Sequence, residues 1–450
     1  MHQAGTDRTR GGLRNVLRTS LTAIACSAIA LLPASCATTP KEPPLTTQQR
    51  QLNTKSFDYV WSKIRDEYWD PQLGGLDWSA VRDELRPKIE QAAVTSEARA
   101  ILGDMISRLE LSHFAIIPAD VYKDLDQPAG ESLPDGATGI DLRVIDSRAL
   151  VTSVVKGSPA DRLGVRTGWD IIRIGELDVV SRLEKLTLEL EDDLSKPLRL
   201  AYAVIPRLMG RVGDTVTVTF LDGDDQTVEL DIPLAEQRGR TSKLGNLGEI
   251  RVWIDVKTID DNIGYIAFSG FLNPPYLMKS FNDGMRSFLD AEGVMIDLRG
   301  NPGGLGAMAM GMAGWLVQED RHLGTLRTRD NELKLIVQAR ATTYAGPVVV
   351  LVDGLSGSAS EFLAGGLQEM GRACVVGSRT KGEALPGQFT TLPNGDVFLY
   401  ATANFVSAAG KTLEGVGVIP DVEVHPTRQA LLQGRDLVLE AAVAWTRSQE

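Results

Sequence analysis

The sequence predicts an α/β protein assembled from three parts, and three observations predict it. From about residue 245 to 450, short apolar runs (IGYIAFS, GVMIDL, PVVVLVDG, RACVVGS) alternate with helical stretches (YLMKSFNDGMRSFLDAE, AMAMGMAGWLVQ, ASEFLAGGLQEM), the pattern of an α/β core. Residues 130–236 are different, with Val- and Ile-rich runs (IDLRVI, ALVTSVV, WDIIRIGELDV) punctuated by GSPADRLGVRTG, which reads as a small β-rich module. Residues 51–125 open with Phe57, Val60, Trp61, Ile64 and Tyr68 at helical spacing and continue through VRDELRPKIEQA and SEARAILGDMISRLE, a helical segment.

Ahead of these parts, Arg8, Arg10, Arg14 and Arg18 precede the apolar stretch LTAIACSAIALL and then PASC, ending at Cys36. A basic start, a short apolar run and small residues make an export signal over residues 1–35. The apolar run is too short to cross a bilayer comfortably as a helix. Ala34 and Ser35 before Cys36 resemble a bacterial lipoprotein signal, which implies cleavage and attachment of lipid to the Cys36 thiol; Pro33 departs from the Leu usual there. The expectation is an exported, periplasm-facing lipoprotein, tethered to the outer membrane by its lipid. Residues 36–50, rich in Pro, Thr and Gln, bury too little apolar surface to fold and read as a tether.

The 450 residues carry a net charge of −12. Without residues 1–35, whose four Arg and one Asp amount to +3, the remainder stands near −15. Nucleic acid is excluded as a partner, because neutralising phosphates needs a basic face. With Cys26 in the signal and Cys36 lipidated, Cys374 is alone and no internal disulfide forms. Set in GRACVVGS, it reads as a small core residue rather than a nucleophile. No metal and no cofactor are expected: there is no HExxH, no Cys/His cluster and no phosphate loop, and DGDD at 222–225 lacks the rest of a calcium loop.

Two loops carry chemistry. In IDLRGNPGG (296–304) a buried strand meets a glycine loop whose N–H groups can approach an oxyanion, although Gly303 and Gly304 would equally make a tight turn. In LVDGLSGSASEFLAGGLQ a strand ends at Asp353, Ser356, Ser358 and Ser360 fill a short loop, and a helix follows. A serine there sits at the positive end of a helix dipole, as a nucleophile or as an ordinary N-cap.

Taken together, DLRGNPGG and the S-A-S-E turn that follows it resemble the tail-specific (C-terminal processing and tricorn-like) serine peptidase family, and the likeness continues through GRACVVGS and KTLEGVGVIPDVEV. The resemblance implies a ClpP/crotonase-like peptidase core over 245–450, no cofactor and a polypeptide substrate, taken as unfolded or C-terminal segments. It implies Ser358 as nucleophile, with the Ala359 N–H and one from Gly303 or Gly304 as oxyanion hole. The lysine that serves as base in C-terminal processing peptidases is replaced here by Glu383, with Lys381 two positions earlier. The tricorn-like branch uses a Ser-His pair and a distant glutamate, which Ser112 and His113 in RLELSHFAIIP and Glu414 in LEGVGVIPD match. By that likeness His113 is the general base and Glu414, through Ser112, orients it. His2 leaves with the signal, and His322 and His425 fall outside any motif.

The module at 130–236 resembles a PDZ domain, with a long insertion at about 181–212. Such domains receive a peptide as an added strand, its carboxylate held by backbone N–H groups. Gly139 and Ile140 are the candidates for that loop, although GATGID would equally be a turn into a strand. Loss of the family lysine keeps open a non-catalytic binder of peptides or small ligands on the same scaffold. A Ser358/Lys381 dyad peptidase is a further alternative.

Overall fold

The computed structural model describes residues 42–118, 135–190, 195–243, 249–260 and 262–449. The export signal (1–35), Cys36 and the tether as far as residue 41 lie outside the described residues. From Pro44 onward the chain forms one unit.

Three helices come first: α1 (Thr47–Glu67), α2 (Trp78–Gln91) and α3 (Thr95–Ser107). A capping box starts α1, the Gln49 N–H donating to Thr46 Oγ1 at 3.2 Å and the Thr46 N–H to Gln49 Oε1 at 2.9 Å. This satisfies two donors that the first turn leaves without partners. Phe57, Val60, Ile64 and Tyr68 are buried as their spacing predicts. Trp61 is only half-buried, because its indole N–H needs an acceptor and finds the Trp78 carbonyl at 2.8 Å. After α3 the short strand β1 (Ala115–Ile117) leaves the helices.

The middle part is an antiparallel sheet of β2 (Ile140–Ile145), β3 (Arg148–Val154), β4 (Asp170–Ile174), β5 (Thr215–Leu221) and β6 (Thr227–Pro233), neighbours in that order. Helices α4 (Val179–Glu189) and α5 (Lys196–Tyr202) fall between β4 and β5, within the charged insertion. β2 is an edge strand of this sheet.

The third part is built on a six-stranded sheet. β7 (Ile254–Ile259) pairs antiparallel with β8 (Ile263–Phe268); β9 (Gly293–Asp297), β10 (Val348–Val352), β11 (Cys374–Gly377) and the short strand Val422–Glu423 follow in parallel. Every residue of β8, β9 and β10 is buried, because both faces are covered. Val348, Val350 and Val352 meet α6 (Pro274–Ser287), α7 (Gly306–Ala313) and α8 (Ala359–Glu369), whereas Val349 and Leu351 meet α9 (Leu437–Arg447). That alternation is the period-two direction of strand side chains, and each fully buried Val or Leu contributes ~1.5–3 kcal/mol. Cys374 is buried in β11 as a core residue.

A hairpin of β12 (Gly387–Thr391) and β13 (Val397–Ala401) closes the assembly. β1 pairs with the free side of β13, Ala115 opposite Leu399, so a strand from the helical end joins a sheet from the far end. Phe398 and Tyr400 pack into the helical core. This pairing decides where the residues just before β1 lie.

Candidate active site

Of the three serines from the end of β10 to the first turn of α8, two are committed elsewhere. The Ser356 hydroxyl donates to the Leu298 carbonyl at 2.7 Å and the Ser360 hydroxyl to the Asn301 carbonyl at 2.9 Å, and both residues are fully buried. They bind the serine turn to the glycine loop, which the Gly357 N–H reinforces at Asn301 O, 3.1 Å. Ser358 is half-buried; its Oγ faces the Glu361 N–H in the capping box that starts α8, and among the described residues its hydroxyl proton has no acceptor. It holds φ 53° and ψ −116°, a conformation costing a non-glycine residue about 1–3 kcal/mol. The turn keeps it there because the Ser358 N–H donates to Glu361 Oε2 and to the Glu383 carbonyl, each at 2.9 Å.

The glycine loop lies directly against this turn. At Gly303, φ +103°, a Cβ would stand 2.7 Å from Ser358 Cβ and 2.9 Å from the Ala359 nitrogen, so no side chain fits. The Gly303 N–H is already used, donating to Asn301 Oδ1 at 3.0 Å. The Gly304 and Ala359 N–H groups have no acceptor among the described residues. Of the two glycines proposed from sequence as donors, Gly304 is the one with a hydrogen to offer.

Asp353, at the end of β10, secures the loop from behind. It accepts from the Gly300 N–H at 2.9 Å and from Arg143 Nε, on β2, at 2.6 Å. Burial works to raise its carboxyl, but the Arg143 charge and the Gly300 N–H outweigh that and hold it below its ordinary value.

His113 arrives by the pairing of β1 with β13 and packs on Gly387, where a Cβ would stand 3.0 Å from its Cδ2. Ser112 Oγ lies 2.7 Å from His113 Nδ1 and 2.9 Å from Glu414 Oε2, and the Ser112 N–H donates to Glu414 Oε1 at 2.7 Å. A hydroxyl has one proton. Given to an ionised Glu414, it obliges Ser112 Oγ to accept Nδ1–H, leaving His113 Nε2 with a free lone pair. Burial lowers the proton affinity of His113, with Glu383 opposing and Lys381 adding to the effect. Burial raises the Glu414 carboxyl, and hydrogen bonds from Ser112 and Ala384 pull it back.

The two half-sites meet at two consecutive residues. The Glu383 carbonyl accepts the Ser358 N–H, and the Ala384 N–H donates to Glu414 Oε2 at 2.9 Å. Ser358, Ser112, His113 and Glu414 are thereby brought to one place, although no hydrogen bond joins the Ser358 hydroxyl to the imidazole in this structure. Free sites often hold these groups loosely.

Sequence reasoning missed Glu361. It is fully buried and accepts from the Ser358, Gly382 and Glu383 N–H groups and from Thr380 Oγ1. Burial pushes its carboxyl up and those donors restrain it, to about 7. Its place three residues into a helix that starts after a serine is a capping-box signal, but the three partners at 380–383 were not legible.

Lys381, read as an alternative base, is buried and paired with Glu383 at 2.7 Å. At the other expected site Gly139 has φ +86°, and the Ile140 N–H is taken by Thr138 Oγ1 at 3.3 Å. The Gly139 N–H has no acceptor among the described residues. A cavity of about 760 Å³, lined by Asp141 and Arg143 of β2 and by Tyr265, Arg299 and Arg379 of the core, includes neither Ser358 nor His113. Among the described residues no cluster of His, Cys, Asp and Glu could hold a metal ion.

On a sheet covered on both faces, a strained serine beside a glycine loop and a half-buried histidine relay belong to the chemistry of serine hydrolases. Residues 262–424 match Peptidase family S41 and residues 51–107 the Tricorn protease C1 domain. The chain carries a peptidase family S41 domain over residues 262–424 and is a serine-type peptidase. Carboxyl-terminal-processing peptidase 3, chloroplastic, of Arabidopsis thaliana is 27% identical over 387 residues, 84% of this chain and 69% of that one. The carboxyl-terminal-processing protease of Picosynechococcus sp. is 25% identical over 397 residues, 85% of this chain and 87% of its own. A tricorn protease homolog of Streptomyces coelicolor is 24% identical over 416 residues, which cover 86% of this chain but 32% of that longer protein. Among solved structures, the photosystem II D1 C-terminal processing protease superposes with a TM-score of 0.55 at 20% identity, covering 86% of this chain and 97% of its own. Mature CPAF complexed with lactacystin gives 0.60 at 13%, covering 90% and 100%. At these identities the structures speak for the fold: mixed α/β, as in the C-terminal processing peptidases.

Proposed function

We propose that the protein is an endopeptidase for unfolded or C-terminal polypeptide segments, with Ser358 as nucleophile and His113 as general base. One observation carries the reading: the hydroxyl whose proton is left uncommitted in the serine turn lies one short loop, Glu383–Ala384, from a histidine whose tautomer Ser112 and Glu414 set. As a peptide seats, His113 Nε2 comes within reach and takes the Ser358 proton while Oγ attacks the scissile carbonyl carbon. The carbonyl oxygen becomes an oxyanion facing the Ala359 and Gly304 N–H groups. The imidazolium, held through Ser112 by Glu414, returns its proton to the leaving amine as the C–N bond breaks. Water, deprotonated by His113, then attacks the acyl carbon; the bond from that carbon to Oγ breaks, and His113 returns the proton to the Ser358 oxygen as the acid product leaves.

The middle part serves as a PDZ-like module over 130–236 that admits a peptide along the edge of β2, with the Gly139 N–H at its carboxylate. The protein is exported and anchored through lipid on Cys36; among the described residues no helix is long and apolar enough to cross a membrane. A Ser358/Lys381 dyad is disfavoured by the 2.7 Å ion pair, which commits the ammonium to Glu383.

A fluorophosphonate probe tests the proposal. Labelling that disappears in Ser358→Ala is expected. Persistent silence of the folded parent protein would instead favour a non-catalytic binder.

A further inference from the structure

Where the serine turn meets the base, the chain has placed two opposite charges. The Lys381 side chain is 8% exposed and that of Glu383 25%, and their 2.7 Å contact is internal to the loop that joins the half-sites. The lysine lies across Gly357, where a Cβ would stand 2.8 Å from Lys381 Cδ and 3.4 Å from Nζ. Its backbone N–H donates to the Ser356 carbonyl at 3.1 Å, while the Glu383 carbonyl receives the Ser358 N–H at 2.9 Å. Both residues are therefore stitched to the serine turn by backbone as well as joined by charge. Both side chains also reach His113 electrostatically, with opposite signs.

A buried lone charge is expensive, whereas a close pair cancels most of its field a few ångströms away. A site that needs a neutral imidazole gains nothing from either charge alone. An uncompensated carboxylate would keep the imidazole protonated, and an uncompensated ammonium would weaken it as a base.

We propose that Lys381 and Glu383 form a charge-balanced positioning pair: together they hold loop 381–384 against the nucleophile's turn, and each offsets the other's field at His113. This rests on His113 as general base, and it gives this chain's Lys381 a role other than accepting the nucleophile's proton. The other groups facing the imidazole are Ser112 and, through it, Glu414. Tyr68, at the end of α1, is pushed up to about 12 by burial and stays neutral throughout. Glu361, behind the loop, titrates at about 7 and must be separated from His113 in any rate profile.

The test is an NMR titration of the His113 ring in the parent protein, Lys381→Met, Glu383→Gln and the double variant, beside the pH dependence of kcat/KM. Lys381→Met should move the His113 midpoint up and Glu383→Gln should move it down, each by about one pH unit. The double variant, which buries no lone charge, should return it to near the parent value. A loop that acted only structurally would not give shifts of opposite sign. Single variants that shift the same way, or a double variant that keeps either single shift, overturn the proposal. Opposite ring shifts with an acid limb of kcat/KM that stays fixed would support the pair and overturn His113 as the base, so the two readings fail separately.

Discussion

The two sides of the site are built in opposite ways. The nucleophile side is local: Ser358, Ala359 and Glu361 sit in one turn, and the glycine loop is the extension of the neighbouring strand β9, so register within one sheet aligns them. The base side is distant: Ser112 and His113 come from the helical end, Glu414 from beyond the β12–β13 hairpin, and the pairing of β1 with β13 delivers them. A local turn tolerates change elsewhere in the molecule, whereas a site closed by a three-residue strand depends on every contact that holds that strand.

The comparison breaks most sharply at the reacting groups. Ser358→Ala and His113→Ala should each lower kcat/KM by ~10⁴-fold or more, and the double variant by little further, because the two act as a unit. An additive double variant would show that they do not share a step.

On the base side, Glu414→Ala should lower kcat by roughly 10³-fold, since the imidazole loses both its tautomer control and its counter-charge. Ser112→Ala should cost about 10–100-fold, because Glu414 remains in place but no longer reaches Nδ1. Equal losses in the two would mean that the serine, not the carboxylate, sets the tautomer.

On the nucleophile side, Glu361→Ala strands four donors in a buried place. It should lower the unfolding free energy by about 3 kcal/mol or more, read as an earlier urea midpoint with an unchanged slope.

The same residue gives a pH signature. Because burial lifts its carboxyl to about 7 from an ordinary value of 4.5, its contribution to stability is complete below 4.5 and is lost as pH rises through about 7. Asp353 has the opposite sign: its lowered carboxyl contributes above its ordinary value of 3.8, and that contribution fades as pH falls through its lower folded value. Unfolding curves of Glu361→Gln against pH should lose the downward slope between 4.5 and 7, while the acid-side loss from Asp353 remains.

The smallest effect belongs to Ser360→Ala, which removes one neutral hydrogen bond worth ~1 kcal/mol and should leave fluorophosphonate labelling intact. Lost labelling there would reopen the choice among the three serines.

Much of this was legible in the chain. The strands of the core announce themselves as unbroken Val/Ile runs, since burial on both faces removes any need for polar alternation, and the loops at their ends carry GNPGG and SGSAS. Trp61 was assigned to the buried stripe of α1 because periodicity records direction and says nothing of an indole N–H seeking a carbonyl. The three partners of Glu361 at 380–383 were illegible, because hydrogen bonds across 19–22 residues leave no periodic trace, and so was the pairing of Lys381 with Glu383, because nothing in the local pattern says that this loop buries them together.

Local chemistry therefore determined the elements and the residues able to react: helices and strands follow from periodicity, and a serine before a helix from the turn it makes. Which of three serines keeps a free hydroxyl proton, which glycine keeps a free N–H and which nitrogen of His113 is bare were decided only in three dimensions. Each depends on a hydrogen-bond partner remote in the chain, and short-range sequence pattern does not encode which distant group will arrive.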